Sequence, residues 1–78
     1  MDRNLITFVV LAETGNMTAA AERLNITQPT LTKRLQQLEL HYHCKLFERL
    51  SRGVKLTPLG EALLPFAQRI KETYLQAD

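Results

Sequence analysis

A mainly α fold, with three short helices, a two-stranded hairpin and one long terminal helix, is what these 78 residues predict. Three observations predict it. Apolar residues recur at helical spacing in four separate segments, and capping and turn residues fall at the junctions between them. Between the third and fourth segments the period changes, and Val54 and Leu56 alternate with Lys55 and Thr57.

Asp2 suits the N-cap of a first helix whose Leu5, Phe8, Val9 and Ala12 recur at intervals of three and four, and Gly15 ends it. The stretch from Met17 to Leu35 reads as two short helices around a tight turn. Ala20, Ala21 and Leu24 give the first of the pair an apolar face, with small side chains where its partner must cross closely. Leu31, Leu35 and Leu38 supply the partner's stripe. Thr18 is read as the cap of the second helix and Thr27 as that of the third. Pro29 lies in the third helix's first turn, where its missing N–H costs little. Asn25 marks the corner, because asparagine tolerates a left-handed backbone, and Ile26 plugs it. The third helix extends to about His41 and opens on polar and basic residues. Two helices so related form a helix-turn-helix, whose second member is suited to a DNA groove.

From Lys45 to Thr57 two short segments flank Ser51-Arg52-Gly53, which predicts a hairpin with Gly53 taking a backbone conformation that other residues resist. A hairpin beside a helix-turn-helix is a wing. Arg52 at its tip has the charge and reach to enter a narrow minor groove or hold a phosphate. Thr57 and Pro58 then form a cap and first helical residue, opening a helix to the end of the chain. Its residues Leu59, Leu63, Phe66, Ile70, Tyr74 and Ala77 form a stripe near the 3.5-residue repeat of a coiled-coil seam, the expected site of pairing with a second copy. Pro65 inside that helix is expected to bend or loosen it. The expected organisation is a winged unit over residues 1–57 and a linker and dimerisation helix over 58–78.

Seventy-eight residues make one domain near the size where a single core is only marginally self-sufficient, so a homodimer is expected on that ground too. The lone Cys44 cannot close an internal disulfide, and the first residues lack the basic and apolar regions of a signal peptide, which points to a reducing, cytoplasmic setting. The longest apolar run, Phe8 to Ala12, is far below the roughly 18 residues needed to cross a bilayer, so no membrane role is expected. Net charge is only +2, yet it is unevenly spread. Between Arg23 and Lys55 seven basic residues face only Glu39 and Glu48, whereas the two flanks carry three basic and six acidic residues. A central basic block is what a phosphate-facing surface produces.

These motifs, in this order, resemble the N-terminal DNA-binding domain of the LysR-type transcriptional regulators over nearly the whole chain. The residues that carry the resemblance are Leu5, Phe8, Gly15, the run Thr18 to Leu24, and Thr27-Gln28-Pro29 with Leu31. Leu38-Glu39, Leu46 to Arg49, Leu56-Thr57 and Gly60 continue it. The resemblance implies a winged helix-turn-helix followed by a long helix that pairs with its twin, and regulation of bacterial transcription. The expected partners are double-stranded promoter or operator DNA and a second copy of the chain. The target implied is an interrupted inverted repeat with T near one end and A near the other. The family's larger effector-binding domain is not encoded here, so no effector response is expected.

Carried over by position, Gln28, Pro29 and Thr30 would face base edges, where glutamine bonds bidentately to adenine and proline touches a thymine methyl. Thr32, Lys33 and Arg34 would follow along the groove, and Thr18, Thr27 and Arg49 would contact the phosphate backbone. The family often has Ala, Ser and Arg where this chain has Thr30, Thr32 and Lys33, which bears on base preference. Many relatives carry acidic and Leu residues followed by Gly where this chain has His41-Tyr42-His43-Cys44. His43 would then have to end the helix, with Cys44 buried behind it.

His41, His43 and Cys44 are all zinc-ligand types, but no fourth ligand is apparent, so no metal or cofactor is expected. An enzyme is disfavoured, since Ser51 has no base beside it, the carboxylates are scattered and no glycine-rich phosphate loop follows a strand. The alternative is a helical protein-interaction module on the same fold. Such a module would not need Lys33, Arg34, Arg49 and Arg52 together.

Overall fold

The computed structural model describes residues 2–76 of the chain. Its elements are α1 (Asp2–Thr14), α2 (Met17–Leu24), α3 (Gln28–Tyr42), β1 (Phe47–Arg49), β2 (Val54–Leu56) and α4 (Pro58–Gln76). The side chain of Asp2, read above as the first cap, and Ala77, the last residue of the apolar stripe, lie outside the described residues.

Helix α1 is the centre of the molecule, because α2, α3 and α4 all pack on it. A helix covered on several sides buries more than one stripe. Leu5, Phe8 and Val9 are buried as their spacing predicts, but so are Thr7, Val10 and Leu11, which that spacing assigns to other faces. Thr7 is tolerated there because its hydroxyl donates to the Arg3 carbonyl at 2.9 Å, so the buried polar group is not left unpaired. Ala20 and Ala21 of α2 and Leu31, Leu35 and Leu38 of α3 close the core from the other side.

Both ends of the helix-turn-helix pair are set by residues in left-handed conformation. Asn25 (φ 60°) ends α2, and the Ile26 N–H reaches back to the Ala21 carbonyl at 3.0 Å, with Ile26 packed against the core. His43 (φ 54°) ends α3 in the same way, and the Cys44 N–H reaches the Glu39 carbonyl at 3.1 Å. These backward bonds satisfy carbonyls that a helix end would otherwise leave bare. Cys44 does not follow Ile26 inward, and the expectation that it is buried is wrong: it is exposed. Leu46, two residues on, is the side chain that enters the core. Its N–H is fixed at 2.8 Å by the half-buried Glu39 carboxylate.

A second correction concerns the cap of α2. The helix starts at Met17, and Asn16 caps it from an extended backbone (φ −147°, ψ 125°), its side-chain oxygen accepting the Ala19 N–H at 2.9 Å. Thr18 already lies inside the first turn, so its hydroxyl is free of the capping duty assigned to it above. Thr27 caps α3 as expected, with Pro29 in the first turn.

The wing is an antiparallel pair with Phe47 opposite Leu56 and Arg49 opposite Val54. Its base is held by Thr57. The nearly buried Thr57 hydroxyl donates to the Lys45 carbonyl at 2.7 Å and accepts the Gly60 N–H at 3.2 Å, tying the start of α4 to the loop before β1. Its tip is fixed by Gly53 (φ +76°), which lies against Gly15 so closely that a Cβ there would collide with the Gly15 carbonyl oxygen. That same carbonyl accepts the Val54 N–H at 3.0 Å. The wing is thus pinned to the turn between α1 and α2 rather than projecting freely.

Helix α4 continues through Pro65 and lies along α1. Ala67 is buried, and Leu59, Leu63, Leu64 and Ile70 are half-buried against the molecule's own core. The apolar stripe therefore divides. Phe66, 61% exposed, and Tyr74, 52% exposed, remain uncovered.

Candidate nucleic-acid interface

The polar opening of α3 is built to be rigid. The Thr27 hydroxyl accepts the Thr30 N–H at 3.3 Å and donates to the Thr30 hydroxyl at 3.0 Å, so both threonines are committed to the cap. Gln28 and Pro29, the first two residues of the helix, are exposed. The Gln28 amide nitrogen donates to the Thr18 hydroxyl at 2.9 Å, joining the first turn of α3 to the first turn of α2. One turn along, Lys33 projects to solvent. These positions share the N-terminal end of one helix, where the unpaired backbone N–H groups and the helix dipole favour anions.

Arg34 is arranged differently from its neighbours. It is half-buried, and its Nη1 donates to the Thr7 hydroxyl at 3.4 Å, so the guanidinium is turned toward α1. The sequence carried no signal for this, because Thr7 does not belong to the apolar stripe of α1. Half-buried Thr32 lines, with Gln36 and Arg49, an open cleft between α3 and β1. That cleft brings the middle of α3 and the first wing strand together. Arg49 and Arg52 are exposed on the wing, Arg52 in the Leu50–Gly53 turn closed by the Leu50 N–H on the Gly53 carbonyl at 3.1 Å.

The ion pairs sort the basic residues into two groups. Glu13 holds Arg23 at 3.2 Å and Lys71 at 3.4 Å, Glu39 holds Lys45 at 3.6 Å, and Glu48 holds Lys55 at 3.6 Å. Among the described residues, Lys33, Arg49 and Arg52 take part in no such pair, and neither do Arg3, Arg34 and Arg69. Lys33 adds positive charge near the α3 N-terminus, and Arg49 and Arg52 add it to the wing. As for the other candidate cluster, His41 packs edge-on against Tyr42 at a centroid distance of 4.9 Å, and His43 ends the helix. No group of three metal-ligating side chains converges among the described residues. No described helix is long and apolar enough to cross a membrane.

A three-helix unit whose second and third members form a helix-turn-helix, a pinned two-stranded wing, and basic residues outside the ion pairs on both α3 and the wing define a winged helix-turn-helix protein of the nucleic-acid-binding type. The chain belongs to the LysR family of bacterial regulatory helix-turn-helix proteins, whose profile matches residues 3–61. It is 51% identical over 70 residues to the transcriptional regulator TfdS of Cupriavidus pinatubonensis (strain JMP 134 / LMG 1197), covering 90% of this chain and 24% of that one. To the regulator CitR of Bacillus subtilis (strain 168) it is 46% identical, again over 90% of this chain and 24% of the relative. The chain thus spans about a quarter of the length of these curated relatives. Among solved structures, the CbnR DNA-binding domain in complex with DNA superposes with a TM-score of 0.89 at 43% identity, over 99% of this chain and 88% of that one. The BenM DNA-binding domain bound to catB site 1 DNA gives 0.90 at 36% identity, over 99% and 86%.

Proposed function

We propose that this chain is the DNA-binding part of a bacterial transcriptional regulator, acting in the cytoplasm as a homodimer on an interrupted inverted repeat. The observation that carries the reading is the exposed, prearranged opening of α3, with Lys33 one turn along it and Arg49 across the cleft from Thr32 and Gln36. In this reading Gln28 and Pro29 meet base edges in the major groove, with Thr30 behind them, and Thr32 and Lys33 follow along it. Thr18, Thr27 and Arg49 lie toward the phosphates, Arg34 steadies α3 from within, and Arg52 reaches the minor groove. The relatives CbnR and BenM, whose corresponding domains have been solved on DNA, support this assignment. The winged unit is assigned to residues 1–57 and the pairing helix to 58–78. Within that helix the exposed Phe66 and Tyr74 are the centre of the seam, and Leu59, Leu63 and Ile70 divide their surface between it and the core.

Selection of bound sequences from a random duplex library, at two salt concentrations, tests the reading. Enrichment of an inverted repeat is the expected result. Binding that depends on salt but selects no sequence would confine the chain to non-specific phosphate contact, and no binding at low salt would overturn the reading.

A further inference from the structure

The bond between Thr18 and Gln28 has a consequence for base choice that neither residue has alone. Thr18 is not needed as a helix cap, since Asn16 performs that role, and it lies on the surface where its hydroxyl supports no core group. It nevertheless accepts a hydrogen bond from the Gln28 amide nitrogen at 2.9 Å across the turn between two helices. A β-branched threonine has few χ1 choices in a helix, so it is a stiff post for the otherwise flexible glutamine.

A glutamine amide has one acceptor oxygen and a nitrogen with two hydrogens. With one hydrogen held by Thr18, the remaining hydrogen and the oxygen form an adjacent donor and acceptor. Adenine presents the complement in the major groove, an acceptor at N7 and a donor at N6. Guanine presents two acceptors, N7 and O6, and bonding both would require Gln28 to turn both amide hydrogens toward the base. To do so the amide would first have to give up its bond to Thr18. The Thr18 hydroxyl, accepting from Gln28, keeps its own proton for a phosphate oxygen. We infer that Thr18 is a specificity-determining positioning residue, which locks the Gln28 amide in the orientation that accepts adenine and rejects guanine. The inference rests on the proposal that Gln28 faces a base.

The test uses the full chain and duplexes carrying each of the four bases at the position Gln28 reads, identified as the position whose preference disappears in Gln28→Ala. Thr18→Val removes the hydroxyl while keeping the shape, and Thr18→Ser restores it. The expected result is that wild type and Thr18→Ser prefer adenine over guanine by on the order of tenfold or more, and that Thr18→Val keeps less than about a third of that ratio. Circular dichroism confirms that each variant is folded. An equal loss for all four bases in Thr18→Val would leave Thr18 a plain phosphate contact and overturn the lock alone. If Gln28→Ala leaves every base preference intact, Gln28 faces no base, and the lock falls together with the reading of the interface beneath it.

Discussion

Replacing Gly53 with alanine perturbs the wing at the one point where two constraints coincide. The residue has φ +76°, and a Cβ would meet the Gly15 backbone oxygen, which has no flexible side chain to yield. Left-handed backbone costs an L-residue about 1–2 kcal/mol. Relieving the collision requires β2 to move away from the α1–α2 turn, which stretches the 3.0 Å Val54–Gly15 hydrogen bond, worth about 1 kcal/mol net. Alanine returns about 0.4–1 kcal/mol by restricting the unfolded chain. The net loss is about 2 kcal/mol, against a total of about 4–12 kcal/mol expected for a domain of this length. Urea unfolding followed by circular dichroism measures it, and amide exchange at Val54 should quicken by the same free energy. Because the tip also carries Arg52, DNA affinity should fall with stability. A change in stability within about 0.5 kcal/mol, the range of an ordinary surface substitution, would refute the argument that the wing is pinned through this contact.

Lys33→Ala and Arg52→Ala, at exposed positions outside the ion pairs, should each weaken DNA binding and lower its salt dependence with stability unchanged. Salt titration of DNA binding reads this, and wild-type affinity in both variants would remove the proposed surface. Phe66→Glu places a charge on the exposed part of α4 and should yield a folded monomer in analytical sedimentation, so an unchanged mass would exclude the seam. His43→Gly relieves a left-handed histidine at the end of α3 and should raise stability by about 0.5–1 kcal/mol in urea unfolding, after the entropic cost of glycine. A destabilised variant would mean that the His43 side chain contributes more than its strain costs.

Features that depend on local chemistry were legible in the residues themselves. Asn25 ends a helix because the chain must turn left-handed there, whereas the same role for His43 is implied only by the resemblance to relatives with glycine at that position. Thr27 and Pro29 begin one because of the groups they offer or lack, and Gly53 bends the wing because it has no Cβ. The periodic leucines of α3 likewise indicate their buried face, since only one side of that helix meets the core. Local chemistry also misleads: Thr18 reads as the cap of α2, yet Asn16 is the residue the preceding turn leaves extended, and it takes the cap.

The sequence by itself determined the order of elements, the turn residues and the polar and basic side chains that open α3 and line the wing. Tertiary structure decided how they are shared. Burial on several sides of α1 drew in Thr7, Val10 and Leu11, and with Thr7 came the hold on Arg34. Packing of α4 along α1 divided a stripe of uniform spacing into covered Leu59, Leu63 and Ile70 and uncovered Phe66 and Tyr74. Leu46 took the place in the core that Cys44 was expected to fill. The bond from Gln28 to Thr18 exists only because the turn at Asn25 brings the first turns of α2 and α3 together. Periodicity reports which face of an element is apolar. How many neighbours cover that element, and which distant hydroxyl ends beside which amide, depends on the relative placement of helices, which no local pattern encodes.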